Sequence, residues 1–208
     1  MTRVGAVVLA AGQSARFRAA GGSEATKLVA KLDGQPIVRI AAETALASRA
    51  SPVVVVVGHA RNSVEAALAG LNIGIAFNPA FASGLASSLR VGLSALPPDA
   101  VGAVVLLGDM PRVQARLIDA LIDSFLSQEG ALAAAPSLRG RRGNPVLLGR
   151  GLFEAAMGLT GDEGARRLIG ALGAAELVEI ATADLDATFD IDTPGDLAIP
   201  RPSCANQR

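Results

Sequence analysis

The chain contains neither tryptophan nor tyrosine, and aromatic residues make up 3% of its 208 positions. Stacking platforms for nucleic-acid bases are therefore a poor account of its function. A lone cysteine, Cys204, excludes an internal disulfide framework, and its polar, proline-containing surroundings make it a poor nucleophile. Net charge is missing too: 19 basic residues balance 19 acidic ones, so the field of the whole molecule recruits neither nucleic acid nor an anionic membrane. The apolar N-terminal run stops after a handful of residues, without a basic segment before it or a span of about 20 apolar residues. Neither a secretory leader nor a membrane helix is expected, and the cytoplasm is the simplest location. The single histidine, His59, lacks a Ser or Cys in partner spacing and reads as a loop residue more readily than as a catalyst.

What is present is hydrophobic: 50% of the residues, enough for one well-buried domain. We expect that domain over residues 1–199 and a disordered tail over 200–208. Short apolar runs recur at 4–10, 53–57, 73–77, 101–107, 131–135 and 177–180. Their length suits strands, and their lack of strict alternation suits strands covered on both faces. Helical spacing lies between them, at Ile37, Ile40, Ala41 and Ala45, and again at Leu117, Ile118, Leu121, Ile122 and Phe125. Pro97 and Pro98 read as a helix stop. Alternation of this kind builds right-handed βαβ units, so the expected fold is a three-layer αβα sandwich around a mostly parallel, Rossmann-like sheet. Residues 139–150 break the pattern with RGRRGNPVLLGR, a loop and strand placed to receive an acceptor substrate.

Two strands run straight into chemical turns, AVVLAAGQSARF and AVVLLGDMP. Ligands of open α/β sheets bind beyond the C-terminal strand ends. At Ala10, Ala11 and Gly12 the side chains nearly vanish, which lets a phosphate approach backbone N–H groups, although an ordinary tight turn has the same composition. Neither GxGxxG nor the P-loop pattern is present. Arg16 and Lys27 follow in the same connection, the first able to grip oxygens bidentately and the second a compact charge; Lys31 competes for the lysine role. Asp109 ends an apolar strand, where a charge must lie at the open end. Magnesium uses one or two carboxylates plus phosphate oxygens, and Asp192 could join Asp109. Thr193, Pro194 and Asp196 make a helix start. Asp190 and Asp192 are expected to share one strand face, and the serines at 83–88 to cap the next helix or meet a ribose or base.

Taken in order, LAAGQSARF, TKL, GLASSLRVGL, LLGDMP, RRGNPVLLG and DIDTPGDL resemble the MobA-like nucleotidyltransferase family, and within it the molybdenum cofactor cytidylyltransferase branch. The resemblance implies the nucleotide-diphospho-sugar transferase type of fold. It also implies transfer of CMP from CTP to the phosphate of molybdenum-molybdopterin, releasing pyrophosphate and forming molybdopterin cytosine dinucleotide. On this basis Leu9, Ala10, Ala11, Gly12 and Ser88 hold the nucleotide, and Arg16 and Lys27 its triphosphate. Asp109 and Asp192 hold Mg²⁺, with Mn²⁺ as an alternative, while Asn144 and Pro145 line the acceptor side. A molybdoenzyme maturation chaperone or recipient apoenzyme is the further implied partner. Guanylyl-transferring relatives carry LAGG, so the methyl of Ala11 favours CTP.

The chain departs from its relatives in the longer RAAGGSEAT insertion before Lys27. Three other readings compete: guanylyl transfer to the same cofactor, NAD(P)H-dependent reduction, and carriage of the cofactor without catalysis. The missing dinucleotide fingerprint weighs against reduction, and two carboxylates placed for a metal weigh against simple carriage.

Overall fold

The computed structural model describes residues 3–182 and 189–199; the expected tail, with Cys204, lies outside them. Strand β1 (Arg3–Ala10), buried from Val4 onward, leads to the short helix α1 (Ala15–Ala19). A small hairpin of β2 (Lys31–Leu32) and β3 (Gln35–Pro36) precedes α2 (Ile37–Leu46). Then follow β4 (Val53–Val57), α3 (Arg61–Ala67), β5 (Gly74–Phe77), α4 (Leu85–Ser94) and β6 (Ala100–Leu107). The chain continues with α5 (Ala115–Ser127), β7 (Ala133–Leu138), β8 (Arg141–Arg142) and β9 (Val146–Gly149), and then α6 (Phe153–Met157), α7 (Ala165–Gly170) and β10 (Leu177–Ala181).

Eight strands form one sheet in the order β10-β7-β9-β6-β1-β4-β5, with β8 paired to β7 off that path. The β1, β4, β5 and β6 neighbours are parallel, as are β7 and β10. The inserted strand β9 runs antiparallel between β6 and β7, which makes the sheet mixed but mostly parallel. Side chains alternate through it: Val4, Ala6, Val8 and Ala10 pack with Val38, Val64 and Ile118, whereas Val7, Leu9 and Ala11 pack with Leu89, Leu93 and Phe153. Both faces are covered over β1, β4 and β6, which explains their unbroken apolar runs; the edge strand β5 is an exception, with Ile75 and Phe77 exposed. Helix α4 lies so close that a Cβ at Gly92 would stand 2.2 Å from Val7 Cγ1.

Parallel pairing of Leu9 with Leu107, extended by the Gly108 N–H donating to the Leu9 carbonyl at 2.9 Å, brings both chemical turns to one edge. Two local expectations change. Residues 189–192 carry no strand; Ile191 instead enters a small core with Phe17, Ala30, Leu32 and Ile37, and its N–H donates to the Asp109 carbonyl at 3.0 Å. The N-cap of α4 is Gly84 at φ +104°, without a side-chain cap, because a Cβ there would lie 2.2 Å from the backbone of Gly161. The helix start at Thr193 is present: a capping box with Asp196 opens a 3₁₀ turn over Pro194–Ala198.

Candidate functional site

Beyond the ends of β1 and β6 lies a cavity of about 580 Å³. It brings together Leu9, Ala11, Gly12, Arg16, Lys27, Ser88, Asp109 and Asp192 of the residues expected from the sequence. Ala10 does not face it, because alternation along β1 turns its side chain into the opposite core. A Cβ at Gly12 would meet nothing within 4 Å, so packing does not demand this glycine; its bareness leaves the backbone open to a ligand.

The insertion before Lys27 closes on itself without displacing the lysine. Ser14 Oγ lies 2.8 Å from Thr26 Oγ1 and accepts from the Lys27 N–H at 3.1 Å, pinning the two ends together. Inside the loop Phe17 is 1% exposed and plugs the space beneath it. Lys31, by contrast, is exposed on β2 and lies off the cavity wall.

Lys27 Nζ stands between two carboxylates, 2.7 Å from Asp109 Oδ2 and 2.9 Å from Asp192 Oδ1. Burial acts to lower the pKa of this ammonium, but the Asp109 and Asp192 carboxylates outweigh it and hold it above the ordinary lysine value. The hydrogen bond from Lys27 and the charges of Lys27 and Arg16 hold Asp192 below the usual carboxylate range, against the effect of its burial. Asp190 goes the other way, pushed up by partial burial and by the charges of Asp192 and Asp109. Arg16 also reaches Asp192, at 2.5 Å, from a side chain that is 81% exposed.

Asp109 Oδ1 is buried and, among the described residues, has no hydrogen-bond partner. An orphaned oxygen on a carboxylate whose other oxygen already shares a cation with Asp192 fits a divalent ion that completes its shell with phosphate oxygens. The described residues contain no group of three or more His, Cys, Asp or Glu arranged to hold a metal alone. The oxygens of a bound nucleotide would have to supply the remaining ligands.

Ser88 is 4% exposed and receives a hydrogen bond from Asn78 Nδ2 at 3.0 Å, so its hydroxyl is held from behind as it faces the cavity. His59 lies off the wall: its N–H donates to the Ala11 carbonyl at 3.1 Å and its ring packs near Phe81. It braces the Ala11 turn. A second cavity of about 520 Å³ adjoins the first at Leu107 and Asp190. Its wall holds Asn144 with Arg139, Arg141, Arg142 and Arg166. Pro145, joined to Asn144 by a cis peptide bond, is buried and off that wall.

Two contributors escaped the sequence reading. Arg166 reaches the second cavity from α7, and Asp162 reaches the first from a turn after α6, accepting from the Leu85 N–H at 3.4 Å. The available signal for Asp162 was its setting, Gly161-Asp162-Glu163-Gly164, where glycines flank an acidic pair.

A mostly parallel sandwich whose sheet edge gathers a bare turn, paired carboxylates, a lysine and an arginine defines a nucleotidyltransferase. The chain belongs to the MobA-like NTP transferase domain family, whose model matches residues 6–177. The bifunctional protein GlmU of Acidovorax ebreus is 33% identical over 156 residues, covering 72% of this chain and 31% of the relative. The chain thus spans about a third of that relative's length. Among solved structures, a Mycobacterium sp. strain JC1 homologue of M. tuberculosis Rv0371c superimposes with a TM-score of 0.77 at 28% identity, over 93% of this chain and 92% of its own. Rv0371c of M. tuberculosis in complex with manganese gives 0.72 at 24%, over 87% and 89%. A nucleotidyl transferase of Methanothermobacter thermautotrophicus gives 0.80 at 22%, over 94% of each chain.

Proposed function

We propose that this nucleotidyltransferase moves CMP from CTP to the phosphate of molybdenum-molybdopterin, forming molybdopterin cytosine dinucleotide and pyrophosphate. The observation that carries the reading is the meeting of the two cavities at Leu107 and Asp190, beside Asp109. One side offers a bare backbone turn and two cations to a triphosphate; the other offers arginines, the side chains best suited to grip a phosphate. The motif resemblance supplies the identity of the two substrates, and the Ala11 methyl, 3% exposed where guanylyl-transferring relatives have glycine, favours the smaller base.

In this reading the acceptor phosphate, held by Asn144 and the arginines, presents an anionic oxygen to the α-phosphorus from the second cavity. The bond from that phosphorus to the bridging oxygen breaks, and pyrophosphate leaves toward Lys27 and Arg16. An acceptor that is already an anion needs no strong base, so alignment and charge neutralisation suffice. Asp109 and Asp192 hold the divalent ion, magnesium or manganese, which neutralises phosphate charge when bound. Lys27 has to leave the carboxylates for the phosphates when they engage it.

Product analysis after incubation with molybdenum cofactor, Mg²⁺ and either CTP or GTP tests the assignment. The cytosine dinucleotide is expected from CTP, with little product from GTP. Equal or faster turnover of GTP would replace cytidylyl with guanylyl transfer.

A further inference from the structure

Among the described residues Arg112 is the one buried charged side chain, 4% exposed, and it lines neither cavity. It follows the Asp109-Met110-Pro111 turn directly. Burying a guanidinium is costly unless its surroundings hold it, and two contacts hold this one. Its Cζ lies over the Phe189 ring, 3.6 Å from the centroid, and its Nη2 donates to the Ile199 carbonyl. Phe189 and Ile199 bracket the described segment that carries Asp190 and Asp192. Between them the Ile191 N–H donates to the Asp109 carbonyl, with the Ile191 side chain fully buried. One arginine therefore grips both ends of the segment bearing one carboxylate, from the turn bearing the other.

We propose that Arg112 is a positioning residue that clamps residues 189–199 onto the turn after β6 and so sets the Asp109 to Asp192 spacing at which one cation is shared. This rests on the reading of that pair as a metal site. The contact with Phe189 uses the planar face of the guanidinium, which lysine lacks. Substitution of groups that orient metal ligands commonly costs 10–100-fold in metal affinity.

The test is Mn²⁺ binding followed by electron paramagnetic resonance on the full chain, with and without α,β-methylene-CTP, for Arg112→Met, Arg112→Lys and Phe189→Leu. Phe189→Leu removes the stacking while keeping an apolar side chain and the arginine's hydrogen bond to Ile199, so it serves if the arginine variants fail to fold. We expect Mn²⁺ affinity to fall about tenfold or more in the arginine variants, with Arg112→Lys no better than Arg112→Met. Phe189→Leu should weaken it in the same direction, and the double variant Arg112→Met with Phe189→Leu should be little worse than Arg112→Met alone. The metal concentration for half-maximal turnover should rise while the rate at saturating metal largely recovers. Wild-type Mn²⁺ affinity with only a lowered melting temperature, or full rescue by lysine, overturns the clamp. Asp109→Asn is the control. If it loses Mn²⁺ while the clamp variants keep it, only the clamp falls; if it binds Mn²⁺ normally, the metal reading falls and the clamp with it.

Discussion

Lys27 and a divalent ion compete for the same oxygens, since Nζ already stands 2.7 Å and 2.9 Å from Asp109 and Asp192. Under the proposed reading Lys27→Ala should therefore act in two directions. Nucleotide affinity and turnover fall, because the charge serves both ground and transition states, while Mn²⁺ affinity without nucleotide rises as the carboxylates are freed. Lys31→Ala, at an exposed position off the wall, should behave as wild type. Parallel kinetics and Mn²⁺ titrations on the two variants check both statements. Asp109→Asn should lower turnover by about a thousandfold or more with little change in melting temperature, since Asp192 still pairs with Lys27. A folded Asp109→Asn enzyme with near-normal rates would reduce the residue to a strand terminator. Ala11→Gly should narrow the preference for CTP over GTP, read from the two kcat/KM values.

At the scale of elements, what sequence could reveal was set by how local its cause is. The β1 and β6 runs, the helical spacing of α2 and α5 and the capping box at Thr193 all follow from residues a few positions apart, and all were legible. So was the strand within residues 139–150, though not that it would slot antiparallel between β6 and β7. That depends on which sheet edge remains open. Asp190 and Asp192 were misplaced on a strand because Ile191 answers to Phe17 and Ile37, far away in the chain. Gly84 as the cap of α4 follows from the backbone of Gly161, which no local pattern announces. Close approach of α4 to the sheet yields its own test: Gly92→Ala would set a Cβ 2.2 Å from Val7 Cγ1 and 2.9 Å from Val56 Cγ2, in a packed core. Overpacking of this kind should destabilise the protein by about 1–3 kcal/mol. Urea unfolding measures it, and the KM for nucleotide in the folded enzyme should change little.

For the whole molecule, a formal net charge of zero conceals an uneven distribution, with Asp109, Asp162, Asp190 and Asp192 facing Arg16 and Lys27 around the first cavity, and four arginines against Asp190 on the wall of the second. Attraction of an anionic acceptor is then a local field, screened over about 8 Å at physiological salt. Arg139→Ala with Arg141→Ala should raise the acceptor KM about tenfold or more and leave the nucleotide KM nearly unchanged. The sheet order also bears on how the chain is made. Ala6 pairs with Val53 on one side and with Val104 on the other, so the central strand emerges from the ribosome roughly 100 residues ahead of its second neighbour. At about 5–20 residues per second, that delay lasts roughly 5–20 s. For that interval β1, buried from Val4 onward in the finished fold, has an unfilled edge, exposed to chaperones and to aggregation. A chain stalled before Ala100 lacks β6 and Asp109 and has nothing with which to close the site.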